Sequence, residues 1–182
     1  MKMKIQKTYL LCLAALLTMA ACQPLRFDRF PGEAQQEIPE TYRGKYVFYN
    51  KDLLADTTTV YIGKNSFTQI QKDNTRIDFL DEQHVFSAYK QQSFYFSQEN
   101  ERWSGFFIGK SGDDVIVTPI IITKDNKNPE RTLRKYFPDV RMVEDTGRLE
   151  KQSYYVRMDE EGLMKYRKKL KKQKFLLKKV PY

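Results

Sequence analysis

The chain has 182 residues, enough for one ordinary domain and too few for two comfortable ones, with a formal net charge of +9. Its hydrophobic content of 41% supplies a packed core, and its 12 Tyr and 12 Phe favour strands. The two cysteines, Cys12 and Cys22, both belong to the N-terminal apolar segment or its end. The rest of the chain therefore has no thiol for a disulfide, a metal site or a nucleophile.

The first 21 residues have the pattern of a secretory signal peptide. Three lysines precede the apolar run 9–19, which is too short for a comfortable membrane span and ends in Ala20 and Ala21. Removing residues 1–21 takes away three of the 32 basic residues and leaves 29 against 23 acidic ones, a charge of +6. The next residue, Cys22, directly follows the two alanines.

The segment Leu17-Thr18-Met19-Ala20-Ala21-Cys22 resembles the lipobox of bacterial lipoproteins. In that family, the cysteine after two small residues is lipidated and becomes the N-terminus. The resemblance implies that 1–21 is a lipoprotein signal peptide and that Cys22 carries the lipid anchor. Gln23, in place of the aspartate that favours inner-membrane retention, implies an outer-membrane location in the cell envelope. The alternative is an ordinary cleaved signal that happens to end beside a cysteine.

Residues 22–40 are predicted to form a flexible tether. The stretch contains Pro24, Pro31 and Pro39, and a polar run over 33–37. Proline lacks the backbone donor that helices and sheet interiors use. Residues 41–182 are then the single folded domain, raised above the membrane by the tether.

From Gly44 onward, short aromatic and β-branched runs alternate with turn clusters, which indicates strands. Alternation of Ile77 and Phe79 with polar residues predicts a half-buried strand. Pro119 predicts a bulge or an edge inside an apolar run. The predicted strands are 45–50, 57–62, 66–71, 75–80, 84–89, 93–97, 102–108, 115–123, 140–144, 153–158 and 175–180. They predict a mainly β domain, an antiparallel meander that curls into a barrel or sandwich.

Two helices are predicted among these strands. Pro129 opens a short one over 128–137. Asp159 is a good N-cap for the second, and Leu163, Tyr166 and Leu170 recur at helical spacing behind it. A last short strand, 175–180, follows this C-terminal helix.

The tripeptide Gly44-Lys45-Tyr46 before a strand meander, with one late helix and a final strand, resembles the lipocalin-like plan. The resemblance implies a barrel, a helix packed beside it, and a last strand that closes near the first. The lipobox, aromatic strands and lysine-rich end also resemble small, functionally uncharacterised lipoproteins of the Bacteroidetes group. That likeness implies an envelope location and no known reaction.

The sequence offers no convincing reaction centre. His84 is the single histidine, and no Gly-x-Ser-x-Gly turn accompanies it. The stretch Gly109-Lys110-Ser111 lacks the spacing of a phosphate loop and is predicted to be a hairpin turn. Two pairs of acidic residues, Asp113 with Asp114 and Asp125 with Glu130, lack the spacing of a calcium-binding loop. We therefore predict a non-enzymatic protein without cofactor or metal; a cleft collecting His84, a serine and an aspartate would instead indicate a hydrolase.

The basic end is the strongest feature of the exported chain, because nine basic residues and no acidic one follow Glu161. The predicted contacts to anionic lipid or another anionic envelope polymer are Lys165, Lys168, Lys169, Lys171, Lys172 and Lys174. A solvated helix face is the alternative. Two functions are open: binding an apolar or amphipathic ligand or a partner protein, or docking as a structural or assembly factor. Export makes nucleic acid a poor partner.

Overall fold

The computed structural model describes residues 23–48, 58–71, 74–122, 126–145 and 151–181. In these ranges the protein is mainly β, and its strands form one curled, largely antiparallel sheet that makes a half-barrel. A C-terminal helix and a last strand complete it. The predicted fold class is confirmed.

The strand positions follow the predicted runs closely, and three of them, β5, β7 and β14, match to the residue. The strands are β1 Gln23–Phe27, β2 Glu33–Ala34, β3 Gly44–Phe48, β4 Thr58–Ile62, β5 Ser66–Gln71, β6 Asn74–Phe79, β7 His84–Tyr89, β8 Gln92–Glu99, β9 Arg102–Ser111, β10 Asp114–Pro119, β11 Ile121–Ile122, β12 Val140–Asp145, β13 Lys151–Val156 and β14 Phe175–Val180. The predicted break at Pro119 is confirmed, because β10 ends there and β11 pairs with β1 instead of β9.

The last strand joins the two halves of the meander. Strands β3 to β6 form successive antiparallel hairpins, as do β7 to β10. Strand β14 lies between the halves, with Leu177 opposite both Val115 and Phe48. The last strand therefore lies beside β3, the strand that begins at Gly44, as the lipocalin-like plan implied.

The helices of the described ranges are short. They are α1 Pro129–Leu133 and α2 Glu160–Tyr166, and 3-10 turns occupy Glu40–Tyr42 and Arg167–Lys172. The first helix is half as long as the predicted 128–137. None of these segments has the length and apolarity that crossing a bilayer requires.

Apolar side chains form a core on each side of the sheet. The inner core, enclosed by the curl, includes Ile38, Tyr46, Ile62, Phe86, Tyr95, Phe106, Ile108, Val115, Val117 and Leu177. The helix-side core lies between the other face and the helices, and includes Leu25, Phe27, Phe94, Phe96, Phe107, Leu133, Phe137, Leu163, Tyr166 and Leu170. Most of the aromatic residues of the meander thus serve as packing.

The prediction of a flexible tether over 22–40 is wrong for residues 23–40. Strand β1 runs parallel to β13 and meets Trp103 of β9, and the Leu25 amide donates to the Ile120 carbonyl at 3.1 Å. Leu25 and Phe27 are 0% exposed. Pro24 is tolerated because it stands near the start of the strand, where β1 pairs with the two-residue strand β11. Cys22 itself lies outside the described residues.

The orientation expected of the sixth strand is also reversed. Ile77 and Phe79 are 51% and 55% exposed, whereas Arg76 and Asp78 face into the half-barrel. Inside, the Arg76 Nε donates to the Asp78 carboxylate at 2.8 Å. Alternation identifies a strand with two unlike faces, but it does not say which face turns inward.

Replacing Phe27 by Ala should lower the free energy of unfolding by about 3–5 kcal/mol, because it removes a fully buried ring that packs on Phe96 and Phe137. Urea denaturation measures this. The control is Gln36→Ala, at an exposed position of the same supposed tether. If both substitutions had equally negligible effects on the free energy of unfolding, the buried strand would be contradicted and a flexible tether supported.

Candidate functional site

The C-terminal helix is fixed to the helix-side core by one apolar face. Leu163, Tyr166 and Leu170 are buried, as their spacing predicted. The Asp159 carboxylate accepts the Gly162 amide at 3.1 Å and caps the helix. Only glycine fits at position 162, because an added Cβ would lie 1.7 Å from the Tyr136 carbonyl oxygen. The helix therefore lies close against the α1 end of the core.

This packing turns the basic side chains outward. Lys165, Lys168, Lys169 and Lys174 are exposed, while the side chains of Lys171 and Lys172 are outside the described set. A groove of about 500 Å³ runs along this surface. Its lining, which we call the basic groove, is Thr118, Glu161, Met164, Lys165, Arg167, Lys168 and Lys174. Three of the six predicted contact residues are thus brought together, and Lys169 is not among the lining residues.

Sequence reasoning missed Arg167 as a member of this site, although it stands within the same basic run. Its guanidinium lies 5.5 Å from the centroid of the Phe107 ring, a cation–π distance. Thr118 comes from β10, some 45 residues away along the chain. No local pattern could have paired it with the helix.

The lining of the basic groove carries more positive than negative charge. Glu161, the one acidic residue of the lining, forms an ion pair with Lys90 and accepts a hydrogen bond from the Tyr89 hydroxyl at 2.8 Å. The hydrogen bond from Lys90, followed by that from Tyr89, lowers the pKa of Glu161 below its usual range. Among the described side chains, Lys165, Lys168 and Lys174 make no salt bridge. The site can therefore attract an external anion.

A hydrogen bond places the basic helix beside the start of β1. The Tyr166 hydroxyl donates to the Ile121 carbonyl at 2.9 Å, and Ile121 is the strand partner of Pro24. Arg29, two residues after β1, forms an ion pair with Glu160 at the other end of the helix. The helix is thus attached to both ends of the segment that follows residue 22.

His84 lies at the end of the half-barrel, beside two carboxylates. Its Nδ1 is 3.0 Å from Asp81 Oδ1, and its Nε2 is 3.9 Å from Asp78 Oδ1. Ser97 is its cross-strand partner, but within the described residues no hydrogen bond joins the serine to the ring. The histidine therefore lies near a serine and two carboxylates, but these side chains do not form the serine–histidine–carboxylate chain of hydrogen bonds that a serine hydrolase uses.

The remaining sequence candidates have ordinary structural roles. Gly109-Lys110-Ser111 forms the last residues of β9, and the hairpin turn comes after them at Gly112 and Asp113, slightly later than predicted. Asp114 accepts the Lys179 amide at 2.9 Å. In the ranges that the structure describes, no group of three or more His, Cys, Asp or Glu is arranged to bind a metal ion.

The chain matches no protein-family model, no curated protein and no solved structure. Its function is therefore inferred from the geometry of its own residues.

The contact between Arg29 and Glu160 should make stability depend on pH. The hydrogen bond from Arg29, larger than the opposing effect of burial, lowers the pKa of Glu160 from 4.5. A lowered folded-state pKa stabilises the protein above pH 4.5, and this stabilisation is lost as the pH falls through the folded-state pKa. We expect Glu160→Gln to cost about 0.5–1 kcal/mol at neutral pH and less in acid.

Urea denaturation of both proteins at neutral and at acidic pH measures this difference. The control is Glu82→Gln, an exposed carboxylate without an ion pair among the described side chains. A cost for Glu160→Gln that stays the same in acid would contradict the assignment.

Proposed function

We propose that the protein is a non-enzymatic, lipid-anchored envelope protein, a structural or assembly factor whose basic groove contacts the anionic headgroups of its own membrane. The observation that carries the proposal is the hydrogen bond from Tyr166 to Ile121, the strand partner of Pro24. It brings the basic groove to the edge of the domain where a lipid on Cys22 would attach. The bilayer is therefore the anionic surface nearest to these lysines.

The absence of a spacer supports the same conclusion. Strand β1 begins at Gln23, one residue after Cys22. One residue spans at most about 3.6 Å, so a lipid on Cys22 would keep the domain against the headgroups. Charges that lie within the Debye length of the headgroups, about 8–10 Å, are little screened. Each basic residue near such a surface contributes roughly 1 kcal/mol.

The interior of the half-barrel gives less support to the alternative of an apolar ligand. The inner core is filled by its own side chains, including Tyr46, Phe86 and Phe106. The pocket at its end has a volume of about 50 Å³. Sites for drug-sized ligands measure about 300–1,000 Å³. Docking on the membrane is thus the function that the geometry favours.

Removing charge from the basic groove should weaken binding to anionic membranes. We expect Lys165→Gln with Lys168→Gln, in an unlipidated chain beginning at Gln23, to reduce affinity for phosphatidylglycerol-rich vesicles on the order of tenfold to thirtyfold. Vesicle co-sedimentation measures it. The matched control, Lys45→Gln with Lys64→Gln, removes the same charge from β3 and the turn before β5 and should have a smaller effect.

Two results would contradict the docking proposal. One is equal binding to uncharged phosphatidylcholine vesicles, and the other is an equal loss in the control variant. Preferential binding to a soluble anionic polysaccharide over the vesicles would assign the groove to an envelope polymer.

The anchor itself has a separate test. Cys22→Ser removes the sulfur that would carry the lipid, so we expect the protein to leave the membrane fraction when cells are broken and extracted with salt. Immunoblotting of the membrane and soluble fractions measures this. Unchanged retention after the salt wash would exclude a lipid on Cys22 as the anchor.

A further inference from the structure

Strand β6 is an edge of the sheet that exposes two large apolar side chains. Among the described residues its only strand partner is β5, which pairs with one side of it and leaves the other side open. Ile77 and Phe79 are 51% and 55% exposed on the outer face. Their neighbours in β5 are Thr68 and Ser66, whose small side chains do not cover them. A cover for this apolar surface therefore has to come from beyond the edge.

The strand lacks several of the features that keep an edge from pairing with another chain. Natural edge strands are protected by lysine, proline, a bulge, very short length or inward-facing charges. Strand β6 contains no lysine or proline, and its six residues pair with β5 one for one, without a bulge. A further antiparallel strand could therefore add to this edge, bond to its main chain and cover part of Ile77 and Phe79.

The two charged residues of β6 decide which strand fits there. Arg76 and Asp78 face inward, their side chains are 38% and 19% exposed, and they are bonded to each other at 2.8 Å. Inward-facing charges at an edge disfavour pairing unless the added strand brings the opposite charge to each position. The added strand must therefore place an aspartate opposite Arg76 and an arginine opposite Asp78. Strand β6 of a second copy, run antiparallel, meets this condition.

We propose that two copies of the protein associate through antiparallel pairing of their β6 strands. The two-fold axis passes beside Ile77, which lies opposite Ile77 of the second copy. Arg76 then lies opposite Asp78 of the second copy. Thr75 lies opposite Phe79 of the second copy, a β-branched and aromatic pair of the kind that stabilises sheets. Each of these unlike pairs occurs twice, as in every isologous interface, so the contact closes at two copies.

The same charges fix the register of the two strands. Moving the two-fold axis by one residue, to Arg76, would place two arginines opposite each other. Moving it to Asp78 would place two aspartates opposite each other. Like charges directly opposite one another destabilise a strand pair, so the axis beside Ile77 is favoured over both. Strand β6 contributes no residue to the basic groove, so this association is independent of the proposed membrane docking.

Sedimentation equilibrium of the full chain in a non-ionic detergent tests the association. A contact of one strand is small, so we expect a mixture of monomer and dimer with a dissociation constant on the order of 10–100 μM. Ile77→Lys places two ammonium groups opposite each other at the axis and should raise that constant about tenfold or more. The matched control, Met142→Lys, makes a similar change at a residue 52% exposed on the other edge strand, β12, and should leave the constant unchanged.

Exchanging the charges separates association from folding. Arg76→Asp and Asp78→Arg should each weaken the dimer, because each variant places only like charges opposite one another. An equimolar mixture of the two variants should form a heterodimer as stable as the parent dimer, because the aspartates of one chain then face the arginines of the other. Misfolded chains would not recover association in this way.

Three results would overturn the proposal. The first is a parent chain that stays monomeric at about 1 mM. The second is dimerisation of Ile77→Lys as tight as that of Met142→Lys. The third is a mixture of folded Arg76→Asp and Asp78→Arg chains that associates no more than either variant alone. If either charge variant does not fold, the comparison of Ile77→Lys with Met142→Lys still decides.

Discussion

The burial of β1 is the constraint on which the rest of the structure depends. Strand β1 is the element that connects the β12–β13 hairpin to β9 and so to the half-barrel. Its two apolar side chains, Leu25 and Phe27, belong to the core on which both helices pack. Burial of two such side chains contributes several kcal/mol, at roughly 1.5–3 kcal/mol each, a large share of the net stability of a small domain.

This one strand contributes to both faces of the sheet because its side chains alternate between them. On the helix side, the carbonyl of its neighbour Ile121 accepts a hydrogen bond from the Tyr166 hydroxyl, which fixes the basic groove beside the start of β1. On the inner side, Arg26 is buried and forms an ion pair with Glu99 of β8 at 3.2 Å. A lipid on Cys22 would therefore orient the whole domain, because β1 begins at the next residue, Gln23.

The sequence predicted elements whose signals are local, and it failed where the decisive partner is distant. Asp159 and the spacing of Leu163 and Tyr166 were sufficient to find the C-terminal helix. The prolines around β1 predicted a tether, although the apolar-polar-apolar order of residues 25–27 was an available strand signal. A parallel partner 129 residues away, with Leu25 opposite Tyr154, leaves no local trace. The basic groove was half predicted for the same reason: its lysines are local, but its floor from β10 is not.

Hydrogen–deuterium exchange of residues 23–27 tests the central claim most directly. Because the Leu25 amide is bonded to Ile120 in a buried strand, it and its neighbours in β1 should exchange slowly, only when the whole domain unfolds. Slow exchange that follows the stability of the domain would establish β1 as a structural strand. Exchange at the rate of an unstructured peptide would make residues 23–27 a free tether, and the basic groove would lose the strand beside which it is positioned.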